Sequence, residues 1–260
     1  MNSSRFGSAF CRSLISVATI LGITRGLTFS EDAVVGSKRF RAAGGYTIVL
    51  PSDWVQIPNG AVLAFTDQLK QSVSASAIQY PDYGFQLASA DRWFTYPYIL
   101  FQIHNDGRVA ESEFKNLPRL DQSIREGAQQ GEAMAKSLLS YVQLGKTYYD
   151  PTNHVLWITG RLSAQDGRAI RAVSATCLTE RGSLQVMCYS TEEDSDRYCK
   201  LFENVVNQIV FDYPLKYKLS IVDSIPLGWQ QKFAKVFGWI VGGMILAFVL
   251  VSFRARKKSG

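Results

Sequence analysis

Residues that could carry acid–base or metal chemistry are scarce in this chain. Histidine occurs twice, as His104 and His154, and neither stands in the H-E-x-x-H spacing that places two zinc ligands on one helix face. With two histidines a Ser-His-Asp or Cys-His site has few ways to form. The sequence also contains no G-x-S-x-G turn, phosphate-binding loop or G-x-G-x-x-G motif. We therefore predict no catalytic residue, no cofactor and no metal centre, and a structural role for both histidines.

One acidic run offers oxygen ligands. Glu192, Glu193, Asp194 and Asp196 stand close together, and carboxylates of this kind bind hard cations such as Ca²⁺. No glycine turn or second set of ligands accompanies them. The alternative is that they lie at the positive end of a helix dipole, and we favour that interpretation.

Three cysteines follow Cys11, which lies in the N-terminal leader. Cys188 comes about three strand residues, or ~10 Å, before a predicted strand–helix loop. Cys199 comes about five helix residues, or ~7–8 Å, after it. The matching depths favour a disulfide between Cys188 and Cys199. The alternatives are a Cys177–Cys188 pair across a hairpin and three free thiols, and any pairing leaves an odd cysteine.

Aromatic side chains are concentrated between residues 80 and 98, in predicted loops and at the start of a strand. Exposed aromatics often mark contact surfaces, although aromatic-rich strands also pack such rings into a core. The candidates for contact with a partner are Tyr80, Tyr83, Phe85, Trp93, Phe94, Tyr96 and Tyr98.

Both ends of the chain indicate a membrane setting. Val236–Phe253 carries no charge and is long enough to cross a hydrocarbon core of roughly 30 Å as a helix, and four cations follow it. At the N-terminus, Arg5 and Arg12 precede the apolar stretch Leu14–Ile23, as in a secretory signal peptide. An organelle transit peptide and an uncleaved anchor remain alternatives. The positive-inside rule places the C-terminus in the cytoplasm.

These signals divide the chain into five parts. We predict a signal peptide at 1–30, an extracytoplasmic domain at 31–213, a linker at 214–235, a transmembrane helix at 236–253 and a basic cytoplasmic tail at 254–260. The protein would then be a single-pass protein of the cell (inner) membrane, with its domain periplasmic or extracellular and the lipid bilayer as one partner.

The basic charge belongs to the two ends. The net charge is +6, of which the first 30 residues contribute three arginines and the last seven contribute four cations, so residues 31–253 sum to −1. Affinity for nucleic acid requires clustered cations on the folded domain. The charge distribution therefore argues against a nucleic-acid partner.

The apolar patterns between the ends predict an α+β domain. Strands are predicted at 46–50, 61–65, 73–80 and 96–104, with an exposed lead-in at 31–44 and a loop at 81–91. Apolar residues at helical spacing predict a helix from Leu117 as far as Val142. Strands at 154–163, 168–178 and 183–190, a helix at 194–209 and a short strand at 210–213 follow. This order predicts an antiparallel β-sheet with two packing helices, plus one C-terminal transmembrane helix.

The segment Tyr46-Thr-Ile-Val-Leu-Pro51-Ser-Asp-Trp54, together with this element order, resembles the PsbP-like superfamily of PsbP-, Mog- and DcrB-type domains. The resemblance covers residues 40–213 and implies a PsbP-like sandwich. It also implies a class of function, namely small accessory domains that bind or assemble other proteins, generally without catalysis. The C-terminal span departs from the soluble members.

These observations favour a non-catalytic membrane protein whose domain binds a partner as an accessory or assembly factor of a membrane complex. The alternatives are a membrane-tethered hydrolase and a ligand- or ion-sensing envelope domain. Gly238 and Gly242 stand four residues apart in the predicted span, a spacing that lets two helices approach closely. A homodimer through the transmembrane helix is therefore a further expectation.

Overall fold

The computed structural model describes residues 36–73, 80–134, 139–164 and 167–220. None of the helices in those ranges combines the length and the apolar character needed to cross a bilayer. The predicted signal peptide, the predicted span Val236–Phe253, Gly238 and Gly242 all lie outside the described residues. The described part of the chain is an α+β domain.

Ten strands and four helices occur in the described ranges. In chain order they are β1 (Ser37–Ala42), β2 (Tyr46–Pro51), β3 (Trp54–Ile57), α1 (Asn59–Val73), β4 (Tyr83–Leu87), β5 (Tyr98–His104), α2 (Glu111–Lys115), α3 (Leu117–Met134), β6 (Leu139–Asp150), β7 (Val155–Ala164), β8 (Ala169–Thr179), β9 (Gly182–Thr191), α4 (Ser195–Asn207) and β10 (Val210–Phe211).

The strands form two antiparallel sheets. The large sheet has seven strands in the order β3-β4-β5-β9-β8-β7-β6, and the small sheet has three in the order β1-β2-β10. Strands β6, β7, β8 and β9 form three consecutive hairpins, and β5 pairs with β9 in the antiparallel orientation. The predicted three-strand meander is therefore confirmed, as is the antiparallel α+β class.

Apolar side chains cover both faces of the large sheet. One face packs against α1, α2 and α3, where Phe65, Phe114 and Ile124 meet strand residues such as Leu156. The other face packs against β2 and α4, where Ile48 and Phe202 meet residues such as Val186. The large sheet is thus buried between two layers, which explains why β8 and β9 are buried almost throughout instead of alternating between buried and exposed residues.

The β8–β9 hairpin has its two-residue turn at Glu180-Arg181, because Thr179 pairs with Gly182. Gly182 has φ +152°, and a Cβ there would lie 2.1 Å from the carbonyl oxygen of His104. Only glycine allows β9 to approach the end of β5 so closely. This turn places Cys177 opposite Leu184 and Cys188 opposite Val173, so the alternative pairing of Cys177 with Cys188 across the hairpin is wrong.

Four local predictions differ from the structure. The predicted strand at 61–65 lies in α1, and the predicted lead-in at 31–44 and loop at 81–91 contain β1 and β4. The predicted long helix ends at Met134, and the chain re-enters the sheet as β6 at Leu139. The expectation of two packing helices is likewise wrong, because the described chain has four.

The structure shows why residues 61–65 form part of helix α1 and not a strand. Its buried residues Val62, Phe65 and Thr66 lie three and four positions apart, and the carbonyl of Pro58 accepts hydrogen bonds from the amides of Ala61 and Val62 to begin the first turn. Proline before the first turn favours a helix start. The same apolar letters also fit a short strand, so periodicity alone could not decide between the two.

Candidate functional site

The loop between β4 and β5 presents one large aromatic ring to solvent. Trp93 is 37% exposed, whereas its neighbour Phe94 is buried. The Phe94 ring stacks on Phe65 of α1, with centroids 3.7 Å apart. Phe94 therefore anchors the loop in the core and leaves Trp93 at the surface.

A single buried side chain braces this loop. Gln86 of β4 donates from Nε2 to the carbonyl of Arg92 at 2.8 Å, and its Oε1 accepts the amide of Phe94 at 2.6 Å. Thr95 adds a hydrogen bond from its hydroxyl to the same Arg92 carbonyl. The backbone around Trp93 is thus held on both sides.

Phe94 itself has φ +63°, a left-handed conformation that is uncommon for a non-glycine residue. Such conformations persist where the surroundings impose them, and they are concentrated at binding and catalytic sites. Here the stacking on Phe65 and the hydrogen bond from Phe94 to Gln86 impose it. The loop is accordingly a candidate contact site.

The seven predicted contact aromatics separate into three groups. Tyr80 and Trp93 are exposed, and Tyr83 and Tyr96 are half-buried. The prediction is wrong for the remaining three, which are buried because they point into the two cores of the sheet or, for Phe94, under α1: Phe85, Phe94 and Tyr98.

Tyr80 lies against the outer side of α1. Its hydroxyl donates to Asp67 at 2.5 Å, and the ammonium of Lys70 lies 3.5 Å from its ring centroid. Leu63, seven residues before Lys70, is exposed as well. Tyr80 therefore belongs to the surface of α1.

A buried polar cluster joins α2, β6 and the β6–β7 turn. The side chain of Glu111 is 5% exposed, and its two oxygens contact the ammonium of Lys115 at 2.5 Å and the hydroxyl of Tyr149 at 3.0 Å. His154 Nδ1 lies 3.3 Å from the Tyr149 hydroxyl and 3.4 Å from Glu111. Glu111, Tyr149 and His154 therefore form a triad of a carboxylate, a phenol and an imidazole.

The electrostatics of the triad fix the protonation states of two of its members near pH 7. Burial raises the pKa of Glu111, but the hydrogen bonds from Lys115 and Tyr149 outweigh it, so the pKa lies below its ordinary value. Burial and the hydrogen bond to Glu111 raise the pKa of Tyr149 far above its ordinary value. A general acid or base works best with a pKa near the working pH. Glu111 therefore stays charged and Tyr149 stays neutral near pH 7.

The other histidine is buried in the sheet. His104 Nε2 lies 3.4 Å from Oε1 of Gln185 on the neighbouring strand. Burial lowers the pKa of His104, and the contact with Gln185 offsets only part of that effect. His104 is thus packed within the sheet, and a purely structural role for the two histidines stays a prediction.

On the face of the large sheet that carries His104, three buried polar groups of β8 and β9 lack a hydrogen-bond partner within the described ranges: the hydroxyls of Ser174 and Thr176 and the amide nitrogen of Gln185. Thr176 lies opposite Gln185 in the β8–β9 pair. Ser174 lies two residues before Thr176, on the same face of β8. Buried groups of this kind usually have a partner. Periodicity did not identify them, because β8 and β9 are buried on both faces and show no alternation that separates buried from exposed positions.

The chain after β10 is fixed to the domain, and we call residues 212–218 the C-terminal strap. Lys216 forms a β-bridge with Thr179 at the end of β8. The carboxylate of Glu180 accepts the amide of Lys218 at 2.7 Å, and the hydroxyl of Tyr217 donates to the carbonyl of Val109 at 3.0 Å. The predicted linker at 214–235 therefore begins with at least five ordered residues.

Arg108 secures the strap at its end. Its guanidinium donates to the carbonyl of Lys218 at 2.6 Å and to Glu180 at 3.3 Å, and it lies 4.5 Å from the ring centroid of Tyr217. The His154 ring also packs against the Tyr217 ring, with centroids 5.0 Å apart. The polar cluster and the strap are consequently one structural unit.

The three described cysteines are thiols. Cys177 and Cys188 are buried, and Cys199 is half-buried on α4. The expected Cys188–Cys199 disulfide is therefore absent from this structure. Burial raises the pKa of Cys177 to about 12 and that of Cys188 well above its ordinary value, so neither is a reactive thiolate.

The acidic run divides between an ion-pair site and a helix start. Glu192 pairs with Arg171 at 3.0 Å and lies 3.8 Å from Arg161. Asp194 precedes the first turn of α4, and its carboxylate accepts the hydroxyl of Thr191. No cluster of potential metal ligands occurs among the residues that the structure describes.

No protein-family model and no curated protein sequence matches the chain. Among solved structures, the chain is similar to cyanobacterial PsbP (CyanoP) from Synechocystis sp. PCC 6803, with a TM-score of 0.46 and 12% identity over 74% of this chain and 99% of that one. It is also similar to LpqN, involved in cell envelope biogenesis of Mycobacterium tuberculosis, with a TM-score of 0.34 and 13% identity over 67% and 89%.

Both TM-scores lie below 0.5, so membership of the superfamily stays a prediction.

Proposed function

We propose that this chain is a non-catalytic, single-pass membrane protein whose extracytoplasmic PsbP-like domain binds a partner protein as an accessory or assembly factor of a membrane complex. The observation that carries the proposal is the braced presentation of Trp93. Tryptophan is among the residues that contribute most binding energy at protein interfaces. A rigid loop loses little conformational entropy when the ring is covered.

The polar cluster supports the non-catalytic part of the proposal. Both oxygens of Glu111 are engaged by Lys115 and Tyr149, and neither Glu111 nor Tyr149 has a pKa near neutrality. These groups hold α2, β6 and the C-terminal strap together. The strap in turn fixes the domain at the point where the chain continues toward the predicted span.

The test is co-purification of the full chain from membranes in mild detergent. We expect a stoichiometric partner with the native chain, and we expect Trp93→Ala to reduce its recovery at least tenfold, which corresponds to about 1.4 kcal/mol of binding free energy. The matched control is Tyr141→Ala, which removes another exposed aromatic side chain, from the edge strand β6. Equal recovery with both variants would remove Trp93 as the contact.

A second readout tests the membrane part of the proposal. Alkaline extraction of the membranes leaves integral proteins in the pellet, and we expect the full chain to remain there. Recovery of the chain in the supernatant contradicts the transmembrane helix. Purification of the chain alone, without a partner in defined stoichiometry, contradicts the accessory role.

A further inference from the structure

The outer face of the small sheet and the adjoining strap combine cations with exposed apolar side chains. We call this surface the cationic face and define it by Arg39, Arg41, Val210, Tyr213, Lys216, Lys218 and Leu219. All seven are exposed. The face is therefore open to solvent in the described chain.

The sheet register places the first three residues of the face together. Arg41 of β1 and Val210 of β10 both pair with Thr47 of the central strand β2. Arg39 lies two positions before Arg41, on the same side of β1. Tyr46 and Ile48 point to the opposite side, into the core. The outward side thus carries two arginines and an exposed valine.

Asp212 joins the sheet to the strap. Its carboxylate pairs with the guanidinium of Arg41, and its amide donates to the carbonyl of Gly45 in the β1–β2 turn. The next residue, Tyr213, is 77% exposed, and the ammonium of Lys218 lies 4.0 Å from its ring centroid. The sheet cations and the strap cations are therefore contiguous.

Two carboxylates that adjoin the face, Asp212 and Glu180, are already paired. Arg41 neutralises Asp212 and holds the pKa of that carboxyl below its ordinary value through their hydrogen bond. Glu180 is engaged by Arg108 and by the amide of Lys218. Arg39, Lys216 and Lys218 thus leave an excess of positive charge beside Val210, Tyr213 and Leu219.

We propose that the cationic face lies against the anionic phospholipid headgroups of the membrane that holds the predicted span. This inference rests on the proposed membrane anchor. Cations that meet phosphate, with aromatic and apolar side chains at the headgroup level, are the combination that peripheral surfaces use on bilayers. The chain supports this orientation, because Ser220 continues from the face and about 15 residues lead from there to Val236.

The experiment uses the full chain reconstituted into vesicles of phosphatidylcholine alone or with about 30% phosphatidylglycerol. Lysines are acetylated briefly and quantified by mass spectrometry. We expect acetylation of Lys216 and Lys218 to fall about fivefold in the anionic vesicles, the factor expected for one cation near an anionic surface. Exposed Lys200 on α4 is the internal control, and its acetylation should not change.

High salt and charge reversal sharpen the test. At about 0.5 M salt the Debye length falls to roughly 4 Å, so the protection should disappear. Arg39→Glu should reduce the protection of Lys216 and Lys218, whereas Arg125→Glu on the exposed side of α3 should not. Equal acetylation in both vesicle types overturns the inference. This holds whether the two lysines are accessible in both vesicle types or equally protected in both, because the anionic headgroups then make no difference.

Alkaline extraction of the same vesicles separates this inference from the anchor. A chain that stays in the vesicles without headgroup-dependent protection keeps the anchor and loses the cationic face. A chain that is extracted although its lysines were protected keeps the face and loses the anchor.

Discussion

The ring of Phe94 lies on the ring of Phe65 at a centroid distance of 3.7 Å, with the two planes 16° apart. This stack joins α1 to the β4–β5 loop. It holds Phe94 in a left-handed conformation and leaves Trp93 at the surface. Binding of the proposed partner at Trp93 would therefore depend on the stack of Phe94 on Phe65, although both of those rings are buried.

Gln86→Ala tests that dependence. The change removes both hydrogen bonds between β4 and the loop, and we expect it to lower the free energy of unfolding by about 1–3 kcal/mol because the buried amide of Phe94 loses its partner. Urea unfolding measures the loss. Partner binding should weaken as well, although Trp93 is unchanged.

The matched control for Gln86→Ala is Gln56→Ala, because Gln56 is an exposed residue of the adjacent strand β3. It should leave both stability and partner binding close to those of the native chain. Native binding by the Gln86 variant at a temperature where it is folded would show that the brace does not matter for the contact.

Arg108→Ala tests the attachment of the C-terminal strap. The change removes a charged hydrogen bond to the carbonyl of Lys218 and the contact with Glu180, contributions worth about 1.5–3 kcal/mol in a partly buried setting. We expect faster hydrogen exchange at the amide of Lys218, measured by mass spectrometry, together with a lower free energy of unfolding.

Arg125→Ala is the control for the strap. Arg125 pairs with Asp121 one helical turn away on the exposed side of α3, and exposed pairs contribute about 0–1 kcal/mol. Exchange at Lys218 should be unaffected in this variant. Unchanged exchange in the Arg108 variant would mean that the β-bridge to Thr179 and the Tyr217 hydroxyl hold the strap without the guanidinium.

His104 predicts how stability depends on pH. Burial lowers the pKa of His104 from its ordinary value of 6.5 in the folded chain, so below pH 6.5 the unfolded chain binds a proton that the folded chain does not. The free energy of unfolding is therefore highest above pH 6.5 and falls as the pH drops through 6.5 toward the folded pKa. The slope reaches at most about 1.4 kcal/mol per pH unit.

Urea titrations at several values between pH 5 and pH 8 measure this slope. His104→Gln should flatten it, because the substituted side chain does not titrate. The window also excludes Glu111, whose lowered pKa removes stability only as the pH falls below about 4.5. An equally steep slope in the His104 variant would assign the pH dependence to another group.

The sequence was sufficient where side-chain periodicity and turn chemistry agreed. Strands 154–163, 168–178 and 183–190 were predicted because Gly167 and Gly182 mark the turns between them. It failed at residues 61–65, where apolar residues suit either a strand or a helix, and at β6, where helical spacing continues beyond Met134. Residues from Leu139 form a strand because they pair with β7, and the local sequence pattern does not indicate that pairing.

For the candidate site as well, the sequence indicated the region but not the contacts that position its residues. Composition identified the region of Trp93, but it could not separate Trp93 from Phe94, since their burial depends on Phe65 of a distant helix. The attachment of the strap by Arg108 involves residues more than 100 positions apart in the sequence. Such contacts follow from the order of the strands, which single-sequence patterns do not contain.

The predicted span gives the last test, because Gly238 and Gly242 would let two helices approach closely. The double variant Gly238→Ile/Gly242→Ile should reduce self-association severalfold in a membrane reporter assay, since branched side chains on that face keep the helices apart. Gly243→Ile is the matched control, because Gly243 lies about 140° around the helix from Gly238, and it should leave the signal unchanged. Equal signals from the native chain, the double variant and the control would show that the span does not dimerise through these glycines.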